Sequence, residues 1–340
     1  MNLKSIKILY IGNQLSKHGI NVSTIETLAP LLSKEGYEIV TSSSQKNIFF
    51  RFFSMIKATF VNASKVDYVL IDTYSTLNFW YAFAVSQLCR VLNIKYIPIL
   101  HGGKLPEKID KFPYLTGLVF KNAYVNSVPS QFLFQKLKSK SWNNCIFIPN
   151  QIEIDNYSFQ TRRNVNPKLL WVRSLTPIYN PKMAIEVLEQ VIQSYPEAEL
   201  CMIGPEKGMT INELSTYAAT KKVKVTFTGK LSKPEWTKRA AHYDIFINTT
   251  HFDNTPVSVM EAMALGLPVV STNVGGIPYL LQNNETALLV QDAAVDEMVQ
   301  AIIKLIENPE LASKLSQNGR ALVEQFDWNG VKNQWKEILK

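Results

Sequence analysis

Short apolar runs rich in β-branched residues alternate with segments of helical period along almost the whole chain. This alternation limits the fold more than any other feature. IKILYIG (6–12) is followed by NVSTIETLAPLLSKEG (21–36), then YEIV (37–40), VDYVLID (66–72), a long helical pattern from Ser75 to Leu92, and KYIPILHGG (95–103). Continuous apolar strands separated by amphipathic helices require a parallel sheet covered on both faces. The series pauses at CIFIPN (145–150) and a polar stretch, 152–168. It restarts with LLWVRS (169–174), AELCMIG (198–204), VKVTFTG (223–229), YDIFINT (243–249) and LPVVST (267–272), with helical patterns between them. The reading is α/β: two Rossmann-like, doubly wound domains, 1–160 and 161–325, facing across a cleft. A C-terminal helical tail, 326–340, crosses back to the first. A length of 340 residues suits two such domains.

Composition narrows the function classes. Cys89, Cys145 and Cys201 are scattered, and His18, His101, His242 and His251 lack metal-ligand spacing, so neither a disulfide framework nor a zinc site is expected. No apolar run reaches membrane-spanning length, and the N-terminus lacks a signal-peptide core. A cytoplasmic location follows as an expectation. Residues 1–165 hold 19 Lys and Arg against 9 Asp and Glu, whereas the remainder holds 17 against 19. The N-terminal half therefore suits an anionic partner. No clustered Arg motif or aromatic RNA-binding signature accompanies the charge, which argues against nucleic acid.

Ligands of doubly wound sheets bind at the carboxyl ends of strands. That rule selects the loops 12–20, 101–106, 173–181, 204–209, 229–232, 250–257 and 273–278. In HFDNTPVSVMEAMALGLPVV (251–270), Asp253 precedes Glu261 by eight positions in a mostly uncharged setting, with no cation nearby in sequence. Backbone amides at Asn254, Thr255, Val257 and Ser258 open the helix carrying Glu261, and such amides form an anion site. Asp253 is also readable as a plain helix cap.

The acid, seven residues and second acid, followed by GLPVVSTNVGGIP and TALLV, resemble the retaining glycosyltransferases of family 4, nucleotide-sugar enzymes of GT-B architecture. LLWVRSLTPIYNPKMAIEVL (169–188), ELCMIGPEKG, VTFTGKLSKPEW and YDIFINTT stand in that family's order, and VPSQFLFQKL with IPN is similar to the end of its first domain. The resemblance implies the site. Glu261 accepts from the two ribose hydroxyls, Asp253 holds donor-sugar hydroxyls, and both acids have hydroxyls rather than cations as partners. Arg173 forks onto the diphosphate, while Lys230 and Leu231 meet the nucleobase through their backbone. His101 lies near the transferred sugar. Gly19 gives backbone access to phosphate or acceptor, and Gly204 is counted among the nucleotide-sugar contacts. The implied activity is metal-independent transfer from a nucleotide sugar, UDP-linked in preference to GDP-linked, with no cofactor. The acceptor is a glycan or lipid-linked glycan of a bacterial surface polysaccharide. The second domain is implied to bind the nucleotide and the first the acceptor. No D-x-D metal signature stands near a strand end, and Glu153 with Asp155 reads as linker.

The chain departs from the family's pattern at two places. Asp253, Asn254, Thr255 and Pro256 replace Glu, Gly, aromatic, Gly. Tyr179 stands where a Lys is usual, with Lys182 as the only nearby substitute. A sugar-nucleotide 2-epimerase and a non-catalytic nucleotide- or glycan-binding subunit remain as alternatives. Finally, KNIFFRFFSMIKATFVNASK (46–65) places Phe49, Phe52, Phe53, Ile56 and Phe60 on one helix side and Asn47, Arg51, Ser54 and Ala58 on the other. That stripe fits either a core helix or an anionic membrane surface.

Overall fold

The computed structural model describes residues 5–18, 22–102 and 104–340. The chain forms two compact units, Met1–Pro149 with Trp328–Lys340, and Asn150–Asp327. In the first, β1 (Lys7–Ile11), β2 (Glu38–Ser42), β3 (Tyr68–Thr73), β4 (Lys95–Leu100), β5 (Asn126–Val128) and β6 (Cys145–Phe147) form one sheet in the order β2-β1-β3-β4-β5-β6. In the second, β7 (Lys168–Val172), β8 (Glu199–Ile203), β9 (Val225–Gly229), β10 (Ile245–Asn248), β11 (Val269–Thr272) and β12 (Leu288–Val290) run β12-β11-β10-β7-β8-β9. All the pairings are parallel.

Central strands such as β3 are buried along their whole length. Helices cover both faces, which explains why these strands read as unbroken apolar runs. Strand order reverses between β1 and β3 in one sheet and between β7 and β10 in the other. The loops leaving those strands are therefore the ligand positions of each unit.

Three sequence readings shift. The domain joint lies at Pro149/Asn150 rather than at 160, because Ile152 and Tyr157 pack into the second unit's core. The N–H of Ile152 also donates to Phe326 O at 3.0 Å. The polar stretch after it is not a solvated linker. Arg162 is buried, and its Nη1 donates to the carbonyls of Gln160 and Leu265 at 2.6 and 2.7 Å. Burial lowers the Arg162 pKa below its usual value. The helix expected from Ser75 begins only at Phe79, after a turn in which Thr76 and Leu77 carbonyls accept from Phe79 and Trp80.

The amphipathic segment forms the helix Ile48–Asn62, capped by Asn47 Oδ1, which accepts from the amides of Phe49 and Phe50. Of the side read as polar, Asn47 is exposed, Ser54 and Ala58 are half-buried, and Arg51 is buried, beside Met55 and Thr59. Arg51 achieves this by donating from Nη1 to the carbonyls of Gln45 and Lys46, and Thr59 by donating to Met55 O. Phe52 and Ile56 reach the core only partly. Phe49, Phe50, Phe53 and Phe60 are 72%, 68%, 65% and 67% exposed.

The closing helix, Trp328–Ile338, belongs to the first unit, where Trp328, Val331, Trp335 and Ile338 pack with Ile8, Leu28 and Tyr68. Trp328 Nε1 donates to Glu35 Oε1 at 3.1 Å, and Tyr68 Oη donates to Lys340 O at 2.6 Å. Among the described residues no helix is long and apolar enough to cross a membrane.

Candidate active site

Arg173 follows β7 directly, and its N–H continues the sheet by donating to Ile203 O at 2.9 Å. This pairing brings Gly204 so close that a Cβ there would lie 1.7 Å from Arg173 O. Only glycine fits, so Gly204 is required by strand packing whatever its relation to a ligand. The guanidinium is held from two sides. Its Nη2 pairs with Asp253 Oδ2, with the two side chains 14% and 13% exposed. Its Cζ stands 4.7 Å from the centre of the Tyr179 ring. Arg173 Nε is buried with no hydrogen-bond partner among the described residues.

Tyr179 is set in place by the end of β10. Thr249 Oγ1 accepts from Trp171 Nε1 at 3.0 Å and donates to the carbonyls of Tyr179 and Asn180, each at 2.9 Å. The His251 N–H donates to Ile178 O at 2.8 Å. Tyr179 therefore replaces a charge with an aromatic platform under the arginine. Burial raises its hydroxyl pKa, and Arg173 opposes that rise. Lys182 does not substitute for the missing lysine. Its Nζ lies 5.1 Å over the Tyr217 ring, on another face.

Asp253 accepts from the Asn254 amide through Oδ1 at 2.7 Å, while its carbonyl accepts from the Gly276 amide at 2.8 Å. A Cβ on Gly276 would lie 1.9 Å from Asn254 O, so the glycine pair seats one loop against the other. Pro256 precedes the helix Val257–Ala264 and is buried. Val257 is exposed at its first position, and Thr255 is half-buried. Asn254 Oδ1 and Ser258 Oγ are buried and unpartnered among the described residues. The first amides of a helix have no intrahelical acceptor.

Glu261 is buried on this helix at 6% exposure. Its Oε1 accepts from Tyr157 Oη and from Lys233 Nζ, each at 2.8 Å. Burial, then the Glu261 charge, pushes the Tyr157 hydroxyl pKa far above its usual value. The expectation of two acids without cationic partners is thus corrected. Asp253 pairs with Arg173, eighty residues away, and Glu261 with Lys233, distances in sequence that no local pattern reveals. Tyr157 and Lys233 were also not singled out from sequence, because nothing local couples them to Glu261.

The other residues lie as follows. Lys230 is exposed just past β9, and Leu231 packs partly into the core beside Trp236. Gly19 lies outside the described residues. His101 follows β4 in the other unit, buried at 8%, with Nε2 3.0 Å from Asp72 Oδ1. No group of three His, Cys, Asp or Glu able to hold a metal occurs among the described residues.

The sequence comparisons identify the family to which this fold and site belong. Residues 153–322 match the glycosyl transferases group 1, and the chain belongs to that family. It is an enzyme, a glycosyltransferase. An uncharacterized glycosyltransferase of Haemophilus influenzae is 27% identical over 73% of this chain and 70% of its own length. The sulfoquinovosyl transferase SQD2 of Arabidopsis thaliana is 29% identical over 44% of this chain, a match spanning only 29% of that protein. Among solved structures, Anabaena HepE in complex with UDP superposes with a TM-score of 0.77 at 17% identity, covering 98% of this chain and 99% of that one. The fold is GT-B.

Proposed function

We propose that the chain is a retaining, metal-independent glycosyltransferase using a UDP-linked sugar. The observation that carries this reading is the Arg173–Asp253 pair at the strand-order reversal of the second unit, beside the helix that buries Glu261. A guanidinium fork suits a diphosphate, whose negative charge grows as the glycosidic bond breaks. Asp253 neutralises that guanidinium and Tyr179 orients it. An arriving diphosphate takes over the exposed edge, and Asp253 turns its second oxygen to sugar hydroxyls. Glu261, steadied on one oxygen by Tyr157, presents the other to the vicinal ribose hydroxyls. Uridine is the proposed base, in keeping with the UDP held by Anabaena HepE. The leaving phosphate oxygen takes the acceptor proton, so no protein nucleophile is required.

The acceptor we propose is a lipid-linked glycan in surface polysaccharide synthesis, reached with the first unit lying on anionic membrane at the cytoplasmic face. The four exposed phenylalanines of helix Ile48–Asn62, flanked by exposed Lys46, Lys57 and Lys65, support this.

A thermal-shift panel of nucleotide sugars tests the donor site. At 100 times Kd, a ligand confined to the folded state adds about 2.7 kcal/mol of stability. UDP-glucose is expected to raise Tm in the native protein and not in Glu261→Ala. Equal shifts in both proteins would remove Glu261 from the site.

A further inference from the structure

The second unit carries a groove that the donor site touches only through Lys233. It is walled by residues 156–162 and the helix Lys233–Ala240, lies wholly within that unit, and has a volume of about 530 Å³. Small-ligand sites commonly fall between about 300 and 1,000 Å³. Three cations line it, Arg162, Lys233 and Lys238, with the neutral side chains of Asn156, Ser158 and Gln160, and no described residue of the wall is acidic.

Arg162 is the preformed part of this wall. It is 5% exposed, its main-chain N–H donates to Ser316 Oγ at 3.2 Å, and Nη1 donates to the Gln160 and Leu265 carbonyls. Those bonds fix the guanidinium and close the carboxyl end of the helix Val257–Ala264. A capping role accounts for Nη1 alone. The Nε hydrogen and both Nη2 hydrogens have no acceptor among the described residues, and no carboxylate there pairs with the charge. Asp244, the acid that acts on Arg162 through space, spends Oδ2 on the amide and side chain of Asn166, each at 2.9 Å. A buried guanidinium with unspent donors on a cavity wall suits a planar or tetrahedral oxyanion. Lys233 is half offset already, since its Nζ rests on Glu261 Oε1 at 2.8 Å, whereas Lys238 is exposed.

We propose that this groove is a second binding site, separate from the nucleotide site, for a phosphate dianion carried by a small hydroxylated ester or free in solution. The uncommitted charges of Arg162 and Lys238 match a phosphate group of about −1.5 to −2 near neutrality. Arg162 forks onto its oxygens, and Lys233 closes the end nearest Glu261. Asn156, Ser158 and Gln160 supply donors and acceptors for the hydroxyls of an ester.

Calorimetric titration of the full chain in excess UDP, which keeps the nucleotide site filled, tests this. Ribose 5-phosphate and inorganic phosphate are expected to bind, and ribose is not. Lys238→Glu and Lys233→Gln, both at exposed positions, are each expected to weaken phosphate binding by about tenfold. In the native protein phosphate is expected to protect Lys238 from an amine-reactive reagent and to leave exposed Lys57 of the first unit unprotected. Tighter binding of ribose 5-phosphate than of inorganic phosphate assigns the site to an ester, and equal binding assigns it to the free anion. Equal binding of ribose, affinity indifferent to both substitutions, or an unprotected Lys238 would each overturn the proposal. Failure of UDP itself to bind would strike the proposed function instead, and the same titrations without UDP would then decide the groove.

Discussion

Arg173 must meet three partners whose positions come from three different loops. Its side chain pairs with Asp253, lies over Tyr179 and keeps Nε unpartnered, while its backbone fixes Gly204. Such an arrangement is specific to the planar fork, which a lysine ammonium cannot reproduce. Arg173→Lys is therefore expected to lose activity nearly as fully as Arg173→Gln, each by about 10²-fold in kcat, the scale for removing one preorganised donor to developing charge. Steady-state rates with UDP-glucose measure this. A lysine variant within a factor of about three of the native rate would show that charge alone suffices there. Removing Arg173 also strands Asp253 at 13% exposure, so Arg173→Gln is expected to lower Tm as well.

At the scale of elements, the helix Ile48–Asn62 is informative because its inner and outer faces exchange the roles that composition suggests. Arg51 and Thr59 face inward because backbone carbonyls within reach satisfy them, which leaves the bulky phenylalanines outside. Replacing Phe49, Phe53 and Phe60 together by serine is expected to abolish flotation with anionic liposomes while leaving the UDP-glucose thermal shift intact. Retained flotation in the triple variant would assign lipid contact to another surface. The same helix shows where sequence reading ends. Its existence and period were legible, but the choice of face was not, since it depends on acceptors at Gln45 and Lys46. Most strands were legible because double-sided burial writes itself as continuous apolar runs, but the three-residue strands Asn126–Val128 and Leu288–Val290 were too short to read as such. Arg173, Asp253 and Glu261 were legible as a set through their motifs. Their pairing was not, because Lys233 and Tyr157 reach Glu261 only through tertiary structure.

For the whole molecule, the closing helix is the structural debt of the first unit. Glu35 receives Lys336 and Trp328 from that helix, with Lys332 nearby. The hydrogen bond from Lys336 is the largest of the influences that hold the Glu35 carboxyl below its ordinary value of 4.5. A carboxylate so lowered contributes stability that is present above its unfolded value and disappears as the pH falls through its folded one. Glu35→Gln is accordingly expected to lower Tm near neutrality, with the native and variant curves converging below pH 4.5. Parallel curves down to lower pH would show that the pairing contributes nothing to docking.

Because Trp328–Lys340 completes the core begun by Ile8 and Tyr68, everything from Asn150 to Asp327 is an interruption within the first unit. On the ribosome the second unit therefore has all its residues before the first does. The earlier-made half must wait, with the seat for Trp328 and Trp335 still open, until Trp328–Lys340 emerges. A stop codon within Trp328–Lys340 would spare the core of the second unit and leave that of the first unfinished.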